Sequence, residues 1–256
     1  MKGLIGYTGF VGSNLLKQTN FDALYNSANI DELNGRDFET LVCSGISAVK
    51  WLANKHPETD WIAIKNLLRN LQKVSAKRLI IISTVDVYPI PRGVTESVCC
   101  DNLLNDPYGA HRLAFEQEAC RLFSNVTIVR LPALFGTGLK KNILFDLICK
   151  RLLANIALDS SFQWYPVGRL WEDIQKVVNS ECGLLNFATE PIATKEICTR
   201  WFSQLEVDMK GTSIAHYDIR TDHSRVFGRD DGYIIGKSEI FKELEKWISS
   251  PGIRCA

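Results

Sequence analysis

The stretch Lys2-Gly3-Leu4-Ile5-Gly6-Tyr7-Thr8-Gly9-Phe10-Val11-Gly12 decides the reading of this chain. A short apolar run feeds three glycines spaced three apart, and Ser13-Asn14-Leu15-Leu16 continues with helical character. Strand, glycine turn and helix in that order aim backbone N–H groups and a helix N-terminus at one spot, an arrangement that holds a pyrophosphate. Each glycine has its own job: a tight turn, close approach to the ligand, and close packing of helix on strand.

Outward from that motif, 256 residues suffice for one sizeable domain with a smaller appendage. A hydrophobic content of 46% with 23% charged residues implies a packed core. The net charge of +1, without a basic run, argues against a dedicated nucleic-acid surface. No apolar stretch approaches a membrane span, and Met1-Lys2 leads into a strand rather than a signal peptide, so a cytoplasmic location is expected. Eight cysteines (43, 99, 100, 120, 149, 182, 198 and 255) include no C-x-x-C pair and are expected as reduced thiols. The four histidines show no ligand spacing, so no metal site is expected.

Apolar runs recur at Leu4-Ile5, Ala23 to Tyr25, Leu41 to Cys43, Leu79 to Ile82, Val126 to Leu131 and Leu184 to Phe187. Between them lie helical patterns: Trp61, Ile64, Leu68, Leu71 and Val74; Leu113, Phe115, Ala119 and Phe123; and Ile240, Phe241, Leu244, Trp247 and Ile248. Continuous apolar strands alternating with amphipathic helices predict an α/β fold, a Rossmann-type doubly wound parallel sheet covered on both faces. Residues 1–137 form the expected dinucleotide-binding core, with a strand returning near 183–200. Residues 138–256 are expected mainly as a small C-terminal substrate lobe interleaved with it.

A second constellation follows. Leu79 to Tyr88 reads as a buried strand ending in Ser83 and Thr84, and ligands of doubly wound sheets bind beyond such strand ends. Pro107-Tyr108-Gly109-Ala110-His111-Arg112 opens a helix on which Tyr108 and Arg112 share a face. A cation there favours the phenolate. Val129 to Gly136 reads as a strand end and turn.

The pieces Gly6-x-x-Gly9-x-x-Gly12, Ser83-Thr84-x-x-Val87-Tyr88, Tyr108-Gly109-x-x-Arg112 and Arg130-x-Pro132-x-x-x-Gly136 resemble the extended short-chain dehydrogenase/reductase family. Its members are NAD(P)-dependent sugar-nucleotide epimerases, dehydratases and reductases. The resemblance spans residues 3–200 and does not specify a substrate. It implies that Gly6, Gly9, Phe10, Val11, Gly12, Asn26, Ser44 and Gly45 line the cofactor. It implies that Tyr108 is the acid/base and that Thr84 bonds the same substrate oxygen. Arg112 stands where the family has a lysine that binds the nicotinamide ribose, and Asp86 and Asn142 fall where substrate is contacted. A nucleotide sugar is the implied partner, changed by hydride transfer at a sugar carbon. A homodimer through the Tyr108 helix and the helix at residues 60–74 is implied as well.

Four departures qualify the resemblance. Arginine at 112 keeps the charge but not the shape of an ammonium. Val85 occupies the place of the acid used in 4,6-dehydration, which favours an epimerase or keto-reductase. At the end of the second strand, Tyr25-Asn26-Ser27-Ala28-Asn29 carries no carboxylate for the adenine ribose, leaning the cofactor toward NADP. The span from Ser27 to Thr40 is short for the usual extra strand and helix. Two other readings stay open: a non-catalytic NAD(P)-binding sensor, and a reductase of small non-nucleotide carbonyls.

Overall fold

The computed structural model describes residues 1–100, 106–205 and 214–250. Six parallel strands form the main sheet: β1 (Lys2–Ile5), β2 (Ala23–Tyr25), β3 (Asp37–Cys43), β4 (Ser75–Thr84), β5 (Val126–Leu131) and β9 (Leu184–Asn186). Their order is β2-β1-β3-β4-β5-β9. All six apolar runs of the sequence therefore lie in one sheet. Alternation along the strands sends Leu4, Val42, Ile80 and Val129 into one core and Ile5, Leu41, Cys43, Leu79 and Ile81 into another. A sheet buried on both faces needs apolar residues at nearly every position, and that is why the runs are continuous.

The helices are α1 (Phe10–Leu15), α2 (Lys50–Lys55), α3 (Pro57–Leu71), α4 (Pro107–Leu122), α5 (Ile143–Ile148), α6 (Leu170–Asn179), α7 (Thr194–Trp201) and α8 (Lys237–Ile248). Pro57 and Pro107 open α3 and α4, where a missing N–H costs nothing. Asp106 caps α4 by accepting from the Gly109 N–H at 2.9 Å. Among the described residues there are also two small sheets: β6 (Ala133–Phe135) beside β8 (Trp164–Pro166), and β7 (Ser161–Phe162) beside β10 (Ile192–Ala193).

Between β2 and β3 there is only one short 3-10 turn, Ile30–Leu33. The strand order reverses between β1 and its neighbours β2 and β3, so the crevice beyond the ends of β1 and β3 is the switch point where doubly wound sheets take ligands. Gly6 and Ser44 stand directly at that crevice, one after each strand.

Two expectations need correction or narrowing. Cys149 is disulfide-bonded, so the reading of all cysteines as reduced thiols fails there. Cys43, Cys99, Cys100, Cys120, Cys182 and Cys198 are free. Burial among β-strand neighbours pushes the Cys43 thiol up to about 11, so it behaves as a small core residue. Part of the expected lobe, residues 206–213, lies outside the described residues, as do Cys255 and the chain end.

Candidate active site

The glycine turn is built by backbone crowding. Gly6 adopts φ +87°, a left-handed conformation, and a Cβ on it would sit 2.5 Å from the Ser44 carbonyl oxygen. A Cβ at Gly12 would sit 2.2 Å from the Gly6 oxygen. The turn therefore folds back on its own helix and abuts the loop after β3. The Ser44 hydroxyl fixes that loop by donating to the Ile5 carbonyl at 2.9 Å.

One cavity of about 1500 Å³ runs from this turn past the ends of β3 and β4 to α4. Its wall at one end includes Gly6, Gly9, Phe10, Val11, Asn26, Ser44 and Gly45. At the other it includes Thr84, Asp86, Tyr108 and Asn142. Single-ligand pockets usually measure about 300–1,000 Å³, so this one has room for two ligands end to end. The described residues at the end of β2 that face it, Asn26, Ser27 and Ile30, carry no charge of either sign.

Two residues expected in the site are elsewhere. Gly12 is buried under the turn, where its missing side chain serves helix–strand packing. Arg112 is 3% exposed and does not line the cavity. Its guanidinium forms a bidentate pair with Asp60 of α3, at 2.5 and 2.8 Å, and donates to the Ser47 carbonyl at 2.5 Å. The remaining terminal N–H reaches the Tyr108 carbonyl at 3.4 Å. The guanidinium lies 4.0 Å from the centre of the Tyr108 ring. A planar fork matches a carboxylate better than an ammonium does, and Asp60 captures it behind the tyrosine.

Tyr108 is consequently held from several directions. Its backbone N–H donates to the Asn54 side chain of α2 at 2.9 Å, and Asn54 also donates to Asp106 at 3.2 Å. Burial pushes the Tyr108 phenol up to about 12. The Arg112 charge and a hydrogen bond with the Thr84 hydroxyl oppose that rise, whereas Asp86 and Asp60 add to it. Thr84 also accepts from the Asp86 backbone N–H at 3.1 Å.

Asp86 is bonded by the Lys50 ammonium at 3.1 Å and by the Tyr217 hydroxyl at 2.9 Å. Burial, then the Asp86 charge, drives the Tyr217 phenol well above its ordinary range, so it donates. Asn142 caps α5 by accepting from the Phe145 N–H at 3.1 Å and donates to the Leu134 carbonyl at 2.8 Å. Its backbone stands at φ 125° and ψ 177°, a region almost reserved for glycine, so this part of the wall is strained. Lys140 and Lys141 line the cavity beside it, and burial lowers the Lys141 ammonium.

Sequence reasoning missed Asp60, Asn54, Lys50 and Tyr217. Arg130, part of the fourth motif, is buried in an ion pair with Glu116 at 2.6 Å. Cys99 is exposed, Cys100 packs with Val85, Val87 and Ile219, and neither lines the cavity. Among the described residues no helix is long and apolar enough to cross a membrane. No group of three or more metal-ligating side chains stands together among them.

No family model matches the sequence, and no curated protein matches it. Solved structures match its fold over nearly its whole length. MoeE5 in complex with UDP-glucose and NAD is 16% identical, with a TM-score of 0.71 over 96% of this chain and 97% of that one. The dTDP-4-dehydrorhamnose reductase from Yersinia enterocolitica is 18% identical, with a TM-score of 0.68 over 96% and 98%. RMD from Pseudomonas aeruginosa complexed with NADPH is 17% identical, with a TM-score of 0.68 over 97% and 99%. The chain thus has the Rossmann-like α/β fold of these proteins. At such identities the likeness is one of architecture.

Proposed function

We propose that this protein is an NAD(P)-dependent enzyme that alters a nucleotide sugar by hydride transfer, as a keto-reductase or an epimerase. The observation that carries the reading is the single cavity joining the glycine turn to the Tyr108–Thr84 pair. The turn fits a dinucleotide because Gly6 and Gly9 bring bare backbone to the cavity wall at the start of α1, in a turn that a side chain on Gly6 would break against Ser44. Gly6, Gly9, Phe10, Val11, Ser44 and Gly45 would hold the pyrophosphate side, with Asn26 near the adenosine. When bound, the nicotinamide supplies or accepts the hydride.

This chain's own residues manage the proton. Thr84 and Tyr108 address one substrate oxygen. A phenol held at about 12 stays protonated at neutral pH and can donate to a developing alkoxide. That state suits the reduction of a ketone, the step shared by a keto-reductase and the second half of an epimerisation. Asp86 and Asn142 belong to the sugar-nucleotide half of the wall, where Lys50, Lys140 and Lys141 give an excess of positive charge. The uncharged end of β2 favours neither NAD nor NADP, and the MoeE5 and RMD structures contain NAD and NADPH respectively.

A non-catalytic cofactor-binding protein is the second reading, favoured by the withdrawal of Arg112 from the cavity. Purified protein given NADPH and a panel of 4-keto sugar nucleotides decides between them. Loss of NADPH absorbance that Tyr108→Phe abolishes supports the enzyme. Cofactor binding with no turnover of any sugar supports the second reading. We assign the homodimer to the faces of α3 and α4; a monomer by light scattering removes that assignment.

A further inference from the structure

The cation four residues after the tyrosine is turned away from the cavity, its Nε buried without a partner. All four terminal N–H groups of Arg112 are directed at Asp60, Ser47 and the Tyr108 carbonyl, and the side chain is sealed behind the ring. A different cation reaches the cavity beside Tyr108. Lys50 opens α2, lines the cavity, and places its ammonium 6.0 Å from the centre of the Tyr108 ring. Its side chain is 42% exposed, with the ammonium 3.1 Å from Asp86 and 3.4 Å from Asp106. An ammonium has three donors, so two carboxylate partners leave one for a ligand. The two carboxylates also fix its position, and Asn54 ties the same short helix to the start of α4.

We propose that Lys50 is the ligand-binding cation of this site, donating to the hydroxyl groups of a sugar ring that lies against Tyr108. Arg112 is then a positioning residue that supports the tyrosine from behind. The duties of one cation are divided between two side chains from different helices. Lys50 supplies the donor on the cavity side, and Arg112 with Asp60 supplies rigidity on the other. The proposal rests on the reading of the cavity as a dinucleotide and sugar-nucleotide site. The ring hydroxyls belong either to the nicotinamide ribose or to the hexose.

Equilibrium binding tests this without turnover. NADH, ADP, UDP-glucose and UDP are titrated into wild-type protein, Lys50→Met and Lys50→Arg, with thermal unfolding run in parallel. ADP and UDP lack the ring next to the tyrosine. Loss of one charged hydrogen bond corresponds to a weakening of about tenfold to a hundredfold. Lys50→Met should weaken NADH by that factor with ADP unchanged if the ribose is held, or UDP-glucose with UDP unchanged if the hexose is held. Lys50→Arg should restore part of the loss. Equal weakening of NADH and ADP, or of UDP-glucose and UDP, would mean a general effect on phosphates and overturn the proposal. So would unchanged affinity for all four in a folded Lys50→Met. Wild-type protein that binds none of NADH, NADPH and a panel of UDP, dTDP and GDP sugars overturns the functional reading together with this one.

Discussion

Replacing Asp60 by alanine should destabilise the protein far more than replacing Arg112. Asp60 is 8% exposed at its side chain and Arg112 is 3% exposed, so their pair is sheltered from water. Without Asp60, the guanidinium keeps only two carbonyl partners and cannot shed its proton. Breaking one partner of a buried pair costs about 3–5 kcal/mol. For a chain of this length that lowers Tm by roughly 10 °C. In Arg112→Met, by contrast, Asp60 keeps its 2.8 Å contact with His111 and can also take up a proton, so the loss is smaller. The double variant Asp60→Leu/Arg112→Met removes both charges and should recover much of the loss of Asp60→Ala, because well-packed apolar replacements of buried pairs are often near neutral. Urea unfolding of the wild type, the three variants and Asp60→Leu measures all of these. An Asp60→Ala cost below about 1 kcal/mol, or strict additivity of Asp60→Leu and Arg112→Met in their double variant, would refute the argument. The pH dependence has a definite sign. Burial raises the Asp60 carboxyl, but hydrogen bonds from Arg112 and His111 outweigh it and hold the group below its ordinary value. Its contribution is therefore complete above about pH 4 and is lost as the pH falls further.

Other outcomes follow from the same geometry. Tyr108 should ionise near pH 12 in an ultraviolet titration of the ligand-free protein, a step absent from Tyr108→Phe; ionisation near 10 would contradict its burial. Gly12→Ala forces a Cβ to within 2.2 Å of the Gly6 oxygen, and should lower stability by about 1–3 kcal/mol or more and weaken NADH binding. Asn142→Gly relieves a strained backbone worth about 1–3 kcal/mol while losing a few tenths of capping energy and about 1 kcal/mol for the hydrogen bond to Leu134, so stability should change by less than about 1–2 kcal/mol in either direction. If Asn142 also contacts a nucleotide sugar, UDP-glucose affinity falls in the same variant; unchanged affinity assigns the residue to capping alone. Tyr217→Phe removes a donor to Asp86 and should raise KM for the sugar substrate more than it lowers kcat.

The sheet was readable in the sequence because its strands are buried on both faces, so Leu79 to Ile82 and Val126 to Leu131 are apolar without interruption. The glycine turn was readable because steric need leaves so few choices at Gly6 and Gly12. The surroundings of the tyrosine were not. Lys50 and Asp86 are 36 residues apart, and Tyr217 and Asp86 are 131 apart. Crossovers bring them together, and no local spacing records it. Arg112 shows the limit most clearly. A separation of four placed it beside Tyr108 correctly, but its direction depended on Asp60, 52 residues earlier on another helix. The disulfide at Cys149 likewise has no local signature.

The sheet is widest in the middle. Its centre strand β4 runs for ten residues, whereas the two outer strands, β2 and β9, have three each. A row of unpaired backbone groups on an outer strand invites pairing with another chain, and many proteins blunt it with prolines or inward-pointing charges. Here the taper itself does so. Three residues offer an intruding strand too few hydrogen bonds to repay the loss of chain freedom. The short link between β2 and β3, with no strand beyond β2 among the described residues, therefore leaves a margin that resists β-mediated self-association by its brevity.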